Sequence, residues 1–118
     1  MKLSQVQTIL QARVLTTAHN MENEVDSAFC SDMMSNVLAY AGSRSVLITA
    51  LYNPQVMRTA EMMGIECVIF IGQRDPDPSI IELAEEMEIC LMHTICGMFT
   101  TCGLLYAGGL RGGHGDAC

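Results

Sequence analysis

Three short runs of apolar residues constrain this chain more than anything else in it: Val46-Leu47-Ile48-Thr49, Cys67-Val68-Ile69-Phe70-Ile71 and Cys90-Leu91-Met92. A strand with one face in water alternates between apolar and polar residues. Runs without that alternation must be covered on both faces, which is the usual situation of parallel strands. Each gap between the runs holds enough residues for one crossover helix, with apolar side chains at helical spacing, and for little else. The stretch from Arg44 to Thr94 therefore predicts strand, helix, strand, helix, strand.

Local signals place the elements around this block. Ser4 and Gln7 have capping-box spacing, and Val6, Ile9 and Leu10 share a face, predicting a helix over 4–11. Strands are expected over 13–16 and 24–30, with a polar loop from His19 to Asn23 between them. Ser31 is placed to cap a helix whose apolar stripe is Met34, Leu38 and Ala41, closed by Gly42. Asn53-Pro54 opens the first crossover helix, Val56, Ala60 and Met63 face the sheet, and Gly64 ends it. Asp77 or Ser79 caps the second, with Ile80, Ala84 and Met87 buried. Thr94 is expected to cap a last helix carrying Met98, Cys102 and Leu105 on one line, with Gly97 and Gly103 inside it. The expectation is a single compact α/β domain over residues 1–107, with a mainly parallel sheet of about five strands flanked by helices. A glycine-rich flexible tail over 108–118 follows.

Composition narrows the classes of function. Thirteen acidic against six basic residues give a net charge of −7, which opposes binding to a phosphate backbone, so no nucleic-acid partner is expected. No apolar run approaches the length needed to span a bilayer, and no signal-peptide pattern opens the sequence; a cytoplasmic protein with no membrane association is expected. The six cysteines form no CxxC pair and read as small buried hydrophobes.

In an open parallel sheet, ligands collect at the carboxyl ends of the strands, near the free N–H groups of helix N-termini. That edge should display Thr49, Tyr52 and Asn53, then Gly72, Gln73 and Arg74, then His93 and Thr94, with Arg74 suited to a carboxylate or phosphate. In the simpler reading Asn53 and Thr94 are only caps and Gln73-Arg74 is an exposed turn. Neither GxGxxG nor GxxxxGK[ST] is present, no catalytic signature is complete, and no cofactor is implied. His114, Asp116 and Cys118 offer three weak candidate metal ligands, one fewer than a closed structural zinc site needs.

The segment Ala28-Phe29-Cys30-Ser31-Asp32-Met33-Met34-Ser35-Asn36-Val37-Leu38-Ala39, followed by Ser45-Val46-Leu47-Ile48-Thr49, resembles the DRTGG-domain family, in particular short members similar to the N-terminal domain of HPr kinase. The family's eponymous glycines are replaced here by Ser27 and Ala28. The resemblance implies a non-catalytic regulatory or interaction module that is usually a homodimer. It further implies a protein partner in a redox or metabolic system, and a small anionic or nucleotide-like ligand. Two alternatives remain: a small-molecule enzyme built on Arg74 and His93, and a metal or redox carrier built on the His114/Asp116/Cys118 tail.

Overall fold

The computed structural model describes residues 1–17 and 20–113. The elements, in order, are α1 (Leu3–Leu10), β1 (Arg13–Val14), β2 (Ser27–Cys30), α2 (Met34–Tyr40), β3 (Ser45–Thr49), α3 (Pro54–Met63), β4 (Cys67–Ile71), α4 (Pro78–Glu86), β5 (Cys90–Thr94), α5 (Met98–Ala107) and β6 (Arg111–Gly112). They form a mainly parallel α/β domain. The strand order is β1-β5-β4-β3-β2-β6, and only β1, against β5, is antiparallel.

Every residue of β3, β4 and β5 is buried, as continuous apolar strands require. Side chains alternate across the sheet. Val46, Ile48, Cys67, Ile69, Cys90 and Met92 pack toward Leu3, Val6 and Leu10 of α1 and Leu105 of α5. Leu47, Val68, Phe70 and Leu91 pack on the other face, toward Val37 of α2, Val56, Met57 and Ala60 of α3, and Ile80 and Ala84 of α4. From β2 to β5 each strand lies beside its predecessor, so right-handed crossovers put α2, α3 and α4 on one face. The sixth strand needs a different route. α5 runs back behind the sheet and delivers β6 to the far edge, beside β2.

The end signals of α3 work as expected. Asn53 Oδ1 accepts the Gln55 N–H at 2.8 Å, Pro54 occupies the first turn, and Gly64 closes the helix at φ +71°, a conformation that disfavours any side chain. Other boundaries differ. Ser4 lies inside α1, whose N-cap is Lys2, two residues before the expected cap; the Lys2 N–H donates to Gln5 Oε1 at 2.8 Å. β1 stops at Val14, because Leu15 and Thr16 turn their N–H and hydroxyl groups to single bonds with Leu91. β2 begins at Ser27, and Val25 is buried without belonging to it. In the seven-residue α2 the buried position is Val37, while Leu38 is exposed; the apolar stripe is rotated by one residue.

The sheet is larger than expected, with six strands among the described residues, and it extends past residue 107. Leu110 is buried and Arg111–Gly112 pair with Ser27 and Ala28, so 108–113 is structured rather than a free tail. Such a strand has no propensity of its own and exists because β2 offers an open edge. His19, and the candidate metal ligands His114, Asp116 and Cys118, lie outside the described residues.

Candidate functional site

Which end of the sheet can hold a ligand follows from where the chain leaves it. After β4 it passes to α4 on one face, and after β5 to α5 on the other, so the carboxyl ends of β4 and β5 form the switch point at which open α/β sheets develop a crevice. Gly72, Gln73 and Arg74 leave β4 there, and Thr94 ends β5. The two strand ends are drawn together by the Gly72 N–H, which donates to the Thr94 carbonyl at 3.1 Å.

His93 does not project from this edge. It is 3 % exposed, its Nε2 lies 2.9 Å from the Gly72 carbonyl, and its Nδ1 lies 3.4 Å from Nη2 of Arg13. A neutral ring with the proton on Nε2 satisfies both contacts, donating to the carbonyl and accepting from the guanidinium. Arg13 is in turn ion-paired with Asp75. Both ring nitrogens thus serve to fasten β1 and the β4 turn to β5.

Four other side chains of this edge divide in two groups. Thr49 is fully buried; its hydroxyl donates to Asp32 Oδ1 at 2.9 Å and accepts the Leu51 N–H at 3.1 Å. Asn53 caps α3. Thr94 Oγ1 accepts the Cys96 N–H at 3.2 Å in a local turn, so it does not cap α5, whose N-cap is Gly97. These three have backbone or scaffold duties. Arg74 stands apart. Its guanidinium carbon sits 4.9 Å above the Tyr52 ring, and it makes no ion pair with any described residue.

Tyr52 holds that platform in place. Its hydroxyl lies 2.8 Å from the carbonyls of both Ile71 and Arg74, sharing one proton between them, and its ring packs on Phe70 with centroids 4.9 Å apart. Burial raises the Tyr52 pKa above its ordinary value, partly offset by the Arg74 cation, so the hydroxyl remains a donor at neutral pH. The structure therefore positions one unpaired cation at the switch point on an aromatic support. It does not bring Arg74 and His93 into one set of free polar groups.

Two residues of this edge escaped the sequence reading, Asp32 and Arg13. Asp32 accepts from Thr49 and, at 2.7 Å, from the Ala50 N–H, tying the end of β2 to the end of β3. Its place just past the end of a strand parallel to β3 is the available signal. Asp32→Ala leaves the buried Thr49 hydroxyl without its acceptor; because the carboxylate itself is exposed, the expected loss is about 1–2 kcal/mol, read as a lower urea midpoint with unchanged slope.

No group of three or more His, Cys, Asp or Glu residues is placed to hold a metal among the described residues. No helix among them is long and apolar enough to cross a membrane.

Comparison with known proteins accords with the fold. No curated protein sequence matches the chain. Among solved structures it is similar to the CBS and DRTGG domains of the regulatory region of Clostridium perfringens pyrophosphatase, crystallised with the activator diadenosine tetraphosphate. The TM-score is 0.75 at 17 % identity, over 88 % of this chain and 45 % of that one. This chain thus spans less than half of that structure's length. The DRTGG domain model matches residues 5–107, nearly the whole described chain, and the protein belongs to the DRTGG domain family.

Proposed function

We propose that this protein is a regulatory module that acts by binding rather than by turnover, and that a small anionic or nucleotide-like ligand docks beside Arg74. The observation that carries the reading is the state of that side chain: a permanent cation, supported by Tyr52, at the strand-order switch, with no acidic partner among the described residues. The surrounding candidates His93, Thr49, Asn53 and Thr94 are occupied by structural bonds, which supports recognition over acid–base chemistry at this edge. The similar pyrophosphatase region is complexed with a dinucleoside polyphosphate, so a polyphosphate nucleotide is the first ligand to try. The net charge of −7 opposes an anion only at long range, since exposed charges beyond about 8 Å are largely screened at physiological salt.

The module works, in this reading, as a cytoplasmic homodimer joined to a protein partner of a metabolic or redox system. α5 supports the dimer. Phe99 is 91 % exposed and shares one helix face with Gly103 and Tyr106, while a side chain at Gly103 would touch nothing within 4 Å. Local packing therefore does not require that glycine. Close approach of a second α5 would use it.

Isothermal titration with diadenosine tetraphosphate, ATP and inorganic phosphate tests the ligand. The nucleotides are expected to bind and Arg74→Ala to weaken them roughly 10- to 100-fold, the worth of one charge-assisted contact. Absence of binding by all three, or equal affinity in the variant, would overturn the assignment of Arg74.

A further inference from the structure

Cys30 on β2 and Cys102 on α5 line one solvent-open groove of about 130 Å³, between the strand and the helix, whose other lining residues include Ile48, Leu105 and Arg111. Both are free thiols and half-buried. Both pack against the same core cluster, and the neighbouring Cys30 lowers the Cys102 pKa to about 7 against the opposing effect of burial. Cys102 in turn, with burial and the nearby Asp32 charge, pushes Cys30 up, so it keeps its proton. Cys67 and Cys90 form a comparable pair, opposite each other on β4 and β5, but both are buried in the core. Only the first pair is within reach of a reagent. Arg111 adds an exposed cation to the groove, its guanidinium 4.1 Å above the Tyr106 ring.

We propose that Cys30 and Cys102 form a dithiol modification site for small disulfides that carry carboxylates, with Cys102 attacking, Cys30 resolving and Arg111 receiving the carboxylate. The Cys102 thiolate attacks one sulfur of the small disulfide, whose S–S bond breaks. A mixed disulfide forms on Cys102, and the departing thiolate takes a proton from water. Cys30 then releases its proton, attacks Cys102 Sγ and expels the second small thiol. The protein gives up two electrons and the small disulfide becomes two thiols; the new bond ties α5 to β2 across the groove. This site is independent of the ligand at Arg74: it lies between β2 and α5, two strands away from β4, after which Arg74 follows.

Treating the wild-type chain with oxidised glutathione and mapping its peptides by mass spectrometry tests this directly. The expected product is a Cys30–Cys102 cross-linked peptide, with Cys67 and Cys90 unmodified. Glutathione left on Cys102 of the wild type without a cross-link would overturn the resolving role. In Cys30→Ser the mixed disulfide on Cys102 should persist. Should that variant not fold, iodoacetamide labelling of the wild type decides: Cys102 should label with a midpoint near pH 7. At neutral pH its rate should exceed that of free glutathione roughly threefold, a larger thiolate fraction outweighing a weaker intrinsic nucleophile. A Cys102 rate no greater than that of glutathione would overturn the site. Arg111→Ala should slow the reaction with oxidised glutathione and leave that with hydroxyethyl disulfide unchanged; equal slowing of both would overturn the role of the cation.

Discussion

Phe70→Ala is expected to remove about 3–5 kcal/mol of stability, a third or more of what a domain of this size normally has. Phe70 is fully buried near the middle of the sheet, on the face covered by α3 and α4, and the Tyr52 ring rests against it. Truncation leaves a cavity that the fully buried β4 cannot collapse to fill, because its neighbours β3 and β5 hold it on both sides. Thermal unfolding followed by circular dichroism should show a midpoint roughly 10–20 °C lower. Phe70→Leu, which keeps most of the volume, should lose far less. A loss under about 1 kcal/mol in the alanine variant would contradict the position assigned to β4 at the centre of the domain.

The second large effect is on assembly. Phe99→Glu is expected to turn the proposed dimer into a monomer, weakening association by roughly 100- to 10,000-fold. The estimate follows from two copies of an exposed phenylalanine, each worth about 1.5–3 kcal/mol when removed from water, before any penalty for burying the new charge. Sedimentation at micromolar concentration should give twice the chain mass for the wild type and the chain mass for the variant. The unfolding midpoint of the variant monomer should match that of the wild type diluted below its dissociation constant, since the Phe99 side chain is almost fully exposed within the subunit. A wild-type monomer at micromolar concentration would end the dimer reading, because a specific interface of about 1,000 Å² or more is stable there.

The central sheet and the crossover helices were legible because their signals are local. β3, β4 and β5 announce themselves as apolar runs, and α3 carries its own start and stop in Asn53, Pro54 and Gly64. What the sequence concealed depends on residues far apart in it. β6 has no pattern of its own; its pairing with β2 exists only after α5 has crossed the sheet. Gly97 and Gly103 look alike in sequence, yet one opens α5 and the other sits bare on its outer face.

The candidate site was legible by residue type and not by partnership. Thr49, Asn53, Arg74, His93 and Thr94 all fall near the carboxyl ends of strands, as parallel winding requires. Their occupation does not show in the sequence, since His93 is engaged by Arg13, 80 residues away, and Thr49 by Asp32, 17 residues away. Arg74 is set apart by what does not pair with it, which only coordinates reveal. The cysteines illustrate the same limit: six residues of one type, of which the fold selects one buried pair and one accessible pair.

The placement of Met1 and Gly113 has a mechanical consequence. The Met1 ammonium donates to the Val25 carbonyl at 2.9 Å, and Gly113 lies against Ser27, so both residues rest on the short stretch of backbone that runs into β2. A pull on residue 1 or on residue 113 therefore loads the same margin of the sheet. That margin is where local opening should begin.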